Sequence, residues 1–301
     1  MTEAASLRLG QVAALTRINL EDFVSAVGWQ DRSVPAVVAR FLLWLPARRF
    51  ARQMAHFDAL TASQGLGDAA RSTLRHYVRD VHVFGTERVP NGPFLALSNH
   101  PGMMDTLALF ACLNRPDLKV LAAHRPFLLA LPSVAAHLLY LDGDSPSNIP
   151  AIRGAVEHLR DGHPLLTFPA GRIEPDPDVY GGAVEALATW TDSAGIFVRT
   201  VPDFVIVPIL VRGVVWGRAA HNPIAASRPN PDEQGRMAAA IQSLVQFSLG
   251  LRPVTVRVHI GRPISKASLA SDRGAGAREA ILAEMTRMIR DTPSAGGRSV
   301  L

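Results

Sequence analysis

The sequence predicts an α/β protein: a largely parallel mixed sheet sandwiched by helices, with an N-terminal helical extension. Three observations predict it. Through residues 1–80 apolar positions recur at helical spacing with no strand-like run. From Val81 onward, short apolar runs of strand length alternate with helix-like segments, as in βαβ units. With 301 residues, 48% of them hydrophobic, the chain can bury a substantial core.

The helical region, residues 1–80, is broken at QGLGD, and its last helix is ARSTLRHYVRDV. The α/β domain, residues 81–291, opens with the strands VHVFG and PFLALSN, the helix TLALFACL and the strand LKVLAAH. RPFLLALPSVAAHLL reads as a buried helix and IPAIRGAVEHLRDG as an amphipathic one. The strand PLLTFPA, a loop rich in Pro and Asp and the helix GGAVEALATWTDSAG follow. FVIVPILVRGVVW reads as a long strand and HNPIAASRPNP as a loop. A helix over residues 233–249, the strand PVTVRVHIGRPI and the helix AREAILAEMTRMIRD complete the domain. Residues 292–301 are expected to form a flexible tail.

Composition narrows the function. Lys and Arg number 31 against 26 Asp and Glu, and all but Lys119 and Lys266 of these cations are Arg. A net charge of +5 suits an anionic membrane surface or a phosphate-bearing ligand, and no nucleic-acid signature with interleaved aromatics accompanies it. The sole cysteine, Cys112, excludes an internal disulfide and a multi-Cys zinc site, and reads as a small buried hydrophobe. No secretory leader is recognisable in the first 20 residues, and no window holds the roughly 20 apolar residues needed to span a bilayer. VPAVVARFLLWLPARRFARQ is different: Phe41 to Leu45 lie between Arg40 and the trio Arg48, Arg49 and Arg52. It fits a helix lying in the headgroup region with Trp44 at the boundary, and equally an amphipathic helix packed on the domain.

The stretch LALSNHPGMMDTLALF puts His100 and Asp105 where a strand hands over to a helix. The same spacing recurs at His137 and Asp142; inside one helix, five residues are about 140° off face, and such a pair cannot meet. His100 instead precedes Pro101, a residue favoured at a first helical position, so its ring can fold back on Asp105 in the opening turns. Asp105 then fixes the tautomer and leaves the other nitrogen to take a proton from a hydroxyl. The helix N-terminus is expected to keep the imidazole neutral, and N–H groups near Gly102 and Met103 to receive a developing oxyanion. The bland alternative is a capping Asn99 or His100 beside a solvated Asp105.

A second block, LLTFPAGRIEPDP, ends a strand in Phe168-Pro169-Ala170-Gly171-Arg172. With NHPGMMD it resembles the glycerolipid acyltransferase family, whose first block is NHxxxxD and whose later block is FPEGxR, or FPAG in one branch. FVIVPILVRG, with Pro208, and HIGRPI resemble two further blocks of that family, in the same order over residues 80–265. The resemblance implies an acyltransferase in which His100 is the general base and Asp105 orients it. It puts Asn99, Gly102, Phe168, Pro169, Gly171 and Arg172 at the substrate, with Pro208 shaping the wall. The donor implied is acyl-CoA or acyl carrier protein, used as substrate with no bound cofactor or metal, and transfer is direct. The acceptor implied is a hydroxyl of a lysophospholipid or related lipid, at the cytoplasmic face of a membrane.

Three departures bear on the acceptor. Ala170 stands where the commonest form has Glu, Arg172 where it has Ser or Thr, and Gly143, between Asp142 and Asp144, where a middle block carries Arg. The family uses such groups on the acceptor's phosphate, so a glycerol-phosphate acceptor is not the expectation. Arg172 or Arg153 can replace the lost cation, though Arg153 also reads as a solvated helix charge. His124 and Arg125 follow a strand toward the site, Met103 and Met104 read as core or acyl-pocket lining, and Glu174, Asp176 and Asp178 read as an extended solvated loop. The second reading is a lipid-binding relative of the same fold without catalysis.

Overall fold

The computed structural model describes residues 3–26, 33–143, 145–266, 276–291 and 297–301. Helices α1 (Glu3–Ala26), α2 (Ser33–Gln64) and α3 (Leu66–Leu74) open the chain. Gly65 separates α2 from α3 at φ 85°, a backbone that glycine adopts freely. One mixed sheet follows, built among the described residues from β1 (Asp80–Phe84), β2 (Phe94–Ser98), β3 (Lys119–Ala123), β4 (Leu138–Leu141), β5 (Leu165–Thr167), β6 (Val205–Arg212), β7 (Thr255–Ile260), β8 (Ile264–Ser265) and β9 (Arg298–Ser299). Their order is β4-β3-β5-β2-β6-β7-β1-β9, with β8 beside β6. Strands β4, β3, β5, β2 and β6 are all parallel; β7 runs against β6 and alongside β1.

Helix α4 (Met103–Leu113) connects β2 to β3, α5 (Ile149–Arg160) precedes β5, and α6 (Ser193–Thr200) precedes β6. Helices α7 (Pro231–Leu249) and α8 (Ala277–Arg290) flank β7 in the chain. Both faces of the sheet are covered. In β2, Phe94 and Ala96 join the apolar cluster built with α1, α2, α3 and α4, while Leu95 and Leu97 join the cluster built with α5, α6 and α8. Five consecutive buried residues in β2 are what a parallel strand covered on both faces requires. The helical extension shares the first cluster: Phe50 of α2 stacks on Phe247 of α7 at 4.3 Å and lies 6.2 Å from Tyr77.

The structure corrects three readings. The segment read as one buried helix, residues 125–139, is two single turns, Pro126–Leu129 and Pro132–Ala135, followed by strand β4. Pro132 lacks the N–H an interior helical position needs, and a short apolar run such as HLLYL does not distinguish strand from buried helix by periodicity. The helix expected over GGAVEALATWTDSAG breaks at Trp190, which is extended. The tail is not wholly loose: Arg298 and Ser299 pair with the outer edge of β1, and the Val300 N–H donates to the Val81 carbonyl at 3.0 Å. Residues 292–296 of that tail, and Asp144, lie outside the described residues.

On α2, Phe41, Leu42 and Leu45 are largely exposed, at 82%, 67% and 70%, and the Arg48 guanidinium lies over Trp44 at 5.0 Å. Arg49, one turn beyond Leu45, donates to the Ser248 carbonyl, next in the chain to the exposed Leu249. Among the described residues no helix is long and apolar enough to cross a membrane.

Candidate functional site

Because β3, β5, β2 and β6 are parallel neighbours in that order, their C-terminal ends lie along one edge of the sheet. That edge is where ligands bind in open α/β sheets. His100 follows β2, the central strand of the group. The Phe168–Arg172 turn follows β5 on one side of it, and Gly213 to Val215 follow β6 on the other.

His100 and Asp105 meet. Nδ1 of His100 lies 2.8 Å and 3.0 Å from the two Asp105 carboxylate oxygens. The same carboxylate accepts the Gly102 N–H at 2.9 Å and the Thr106 hydroxyl at 2.8 Å, and it is fully buried. Helix α4 makes this possible: it begins at Met103 after a Gly102 cap, so Asp105 is its third residue and reaches back over the helix start. Pro101 is therefore in the approach to the helix rather than its first residue. Gly102 packs closely, since a Cβ there would lie 3.3 Å from a Val214 methyl, tighter than an ordinary contact. Nε2, on the far side of the ring, has no hydrogen-bond partner among the described residues, and the side chain is 26% exposed.

Two electrostatic expectations are corrected. The Gly102 N–H is held by Asp105, so it is not available to an oxyanion. Nor is the imidazole's pKa lowered overall. Burial pulls the His100 pKa down, but the charge and hydrogen bond of Asp105, with the charge of Glu174, outweigh it and raise the value above the ordinary 6.5.

The loop after β5 is the largest surprise. It was expected to be solvated, yet Glu174 and Asp176 are buried at 5% and 0% exposure. Glu174 accepts the His100 N–H at 3.0 Å and the Trp190 indole N–H at 2.7 Å, while its own N–H donates to the His100 carbonyl at 2.9 Å. Asp176 accepts the N–H groups of Gly213, Val214 and Val215 at 2.7–2.9 Å. Asp178 pairs with Arg212, at 2.5 Å, and with Arg257. In EPDPD the chain turns at residues 177–179, where the Val179 and Tyr180 N–H groups donate to the Asp176 carbonyl. Nothing local signalled this strap across the sheet edge, because its partners, Trp190 and Gly213 to Val215, are distant in sequence.

The remaining predicted residues are distributed as follows. Phe168 stacks at a tilt on His100, ring centroids 4.7 Å apart. Gly171, at φ 62°, closes a turn by donating its N–H to the Phe168 carbonyl, and the Pro169 carbonyl accepts from Thr191. Arg172 is exposed and unpaired among the described residues. Asn99, expected at the substrate, is buried with its amide paired both ways to the Val211 backbone, at 2.7 Å and 2.8 Å, so it extends the β2 and β6 ladder instead. Pro208 is buried inside β6 opposite Leu97, where the partner of β6 changes from β8 to β7 and no N–H is required.

His137 and Asp142 flank strand β4, and His137 bonds the Leu118 carbonyl instead. His124 and Arg125 follow β3, two strands from β2, and both are exposed. Arg153 is exposed on α5. Gly143 has φ 52°, a conformation that disfavours a side chain. No group of acidic, His or Cys residues able to hold a metal occurs among the described residues.

No curated protein matches the chain in sequence. The structure is similar to the crystal structure of the 1-acyl-sn-glycerophosphate (LPA) acyltransferase PlsC from Thermotoga maritima, at 17% identity and TM-score 0.46, over 93% of this chain and 98% of that one. Residues 80–212, from the first residue of β1 through His100 and the Phe168–Arg172 turn to the last residue of β6, match the family model described as Acyltransferase.

Proposed function

We propose that the protein is an acyltransferase that moves a fatty acyl group from a thioester, acyl-CoA or acyl carrier protein, to a hydroxyl of a lysophospholipid or related lipid. One observation carries this reading: a half-buried imidazole, fixed at Nδ1 by a buried carboxylate, offers its other nitrogen within a segment matching an acyltransferase family. Nε2 of His100 takes the acceptor's hydroxyl proton as that oxygen bonds the thioester carbonyl carbon. Collapse of the tetrahedral intermediate breaks the C–S bond, and the imidazolium returns the proton to the departing thiolate. Phe168, Pro169, Gly171 and the unpaired Arg172 form the acceptor side in this reading. The N–H of Met103, in the first helical turn, is the donor it assigns to the oxyanion. The apolar patch of α2 with its arginines suits a peripheral position on an anionic bilayer, at the cytoplasmic face.

The test is His100→Ala assayed with labelled acyl-CoA against a panel of lysolipids. Wild-type turnover with none in the variant is expected; retained turnover in the variant contradicts the role of His100. Ala170 and Gly143, which lack the charges the family resemblance leads one to expect, favour a second reading, a non-catalytic lipid binder. It predicts vesicle binding unaffected by His100→Ala and no product from any acceptor.

A further inference from the structure

We infer that Glu174 is a positioning residue for the base: it clamps the backbone of His100 and couples that backbone to Trp190. The inference rests on the proposed role of His100. The geometry is specific. The Glu174 N–H donates to the His100 carbonyl and the Glu174 carboxylate accepts the His100 N–H, so one residue holds the backbone of the other from both sides. The second carboxylate oxygen accepts the Trp190 indole, itself 3% exposed in the cluster with Ala194 and Phe197. His100 lies in an irregular stretch between β2 and α4. Asp105 holds its ring and Asn99 secures the preceding residue, but its own N–H and carbonyl have Glu174 alone among the described residues. A ring is only as well aimed as the backbone that carries it, and small misplacements of a reacting group lower the rate steeply.

Glu174 also acts through charge. The charged groups facing the imidazole are Asp105 from α4 and Glu174 from the loop after β5, and both favour imidazolium. Burial, with the charge of Asp105, raises the Glu174 pKa above the ordinary glutamate value, and the Trp190 and His100 N–H groups and the nearby imidazole offset only part of that rise. The two backbone hydrogen bonds of Glu174 aim the base, and its charge, when ionised, favours imidazolium.

Glu174→Gln, Glu174→Asp and Trp190→Phe test this, read as kcat, KM for the thioester and the pH dependence of kcat/KM. The glutamine variant removes the charge and one acceptor. Its kcat is expected to fall between about tenfold and a hundredfold with KM unchanged, and the acid limb of its profile to move to lower pH. Trp190→Phe leaves the charge in place and is expected to keep the wild-type acid limb. A Glu174→Gln profile that superimposes on wild type overturns the inference. So does an equal loss of kcat in Trp190→Phe with the acid limb unmoved in both, the pattern of a purely structural role. Should Glu174→Gln not fold, Glu174→Asp decides: a shorter carboxylate keeps the charge and loses the clamp, so kcat falls while the acid limb stays, and an undiminished kcat overturns the inference. His100→Ala is run in parallel. Turnover in that variant defeats the assignment of the base itself, whereas a dead His100→Ala beside a wild-type Glu174→Gln defeats the inference alone.

Discussion

At the scale of single residues, Asp105 has no polar capacity to spare. It accepts from the His100 ring, the Gly102 backbone and the Thr106 hydroxyl at a buried helix start. Asp105→Asn can keep one oxygen on the His100 ring and the Gly102 N–H and turn its NH2 to the Thr106 hydroxyl, so what it removes is the charge that raises the His100 pKa. Its kcat is expected to fall at least about a hundredfold, with the acid limb of the pH profile displaced downward, measured by product formation across pH. The pairing of His100 with Asp105 was readable in the sequence because five residues spanning a strand-to-helix junction leave the ring free to fold back. Glu174 was not readable in the same way, because its partners, His100 and Trp190, are 74 and 16 positions away. Asn99 misled for a related reason: an amide beside a catalytic motif looks like a ligand group until the neighbouring strand supplies both of its partners.

At the scale of elements, the strap from Glu174 to Asp178 fastens the sheet edge around the site. Asp176→Ala leaves three N–H groups without their acceptor, that of Val214 buried and those of Gly213 and Val215 partly buried. A loss of about 1–3 kcal/mol is expected, read by urea denaturation, because a buried donor left unpaired costs about that much and the two partly buried ones can turn to water. Wild-type stability in that variant would mean the carboxylate fastens nothing. Most strands and long helices were readable from periodicity, β2 and β6 above all, since strands covered on both faces are continuously apolar. What failed were short pieces. Pro126 and Pro132 each begin a turn that ends within four residues, and β4 is defined by its pairing with β3 rather than by its own pattern. The pairing of Arg298 and Ser299 with β1 has no local signal at all.

At the scale of the whole molecule, the helical extension shares the core of the α/β unit, with α1, α2 and α3 packed in the same apolar cluster as β2 and α4. The exposed residues of α2 stand out against that packing. Of the two readings the sequence left open for this helix, packing on the domain holds for its second half, where Phe50, Ala51 and Met54 are buried, while Phe41, Leu42 and Leu45 are exposed. Replacing Leu42 and Leu45 by Glu is expected to weaken binding to anionic vesicles at least about tenfold, measured by co-sedimentation, with little change in the folding of the protein. Unchanged sedimentation would remove α2 from the membrane contact. The most direct test of the whole account is the pH dependence of kcat/KM for acyl transfer by the wild-type protein. The raised pKa of His100 predicts that the rate falls as pH drops through a value above 6.5, as the base takes up a proton. A rate that stays level from about pH 8 down to about pH 5 would contradict an imidazole base.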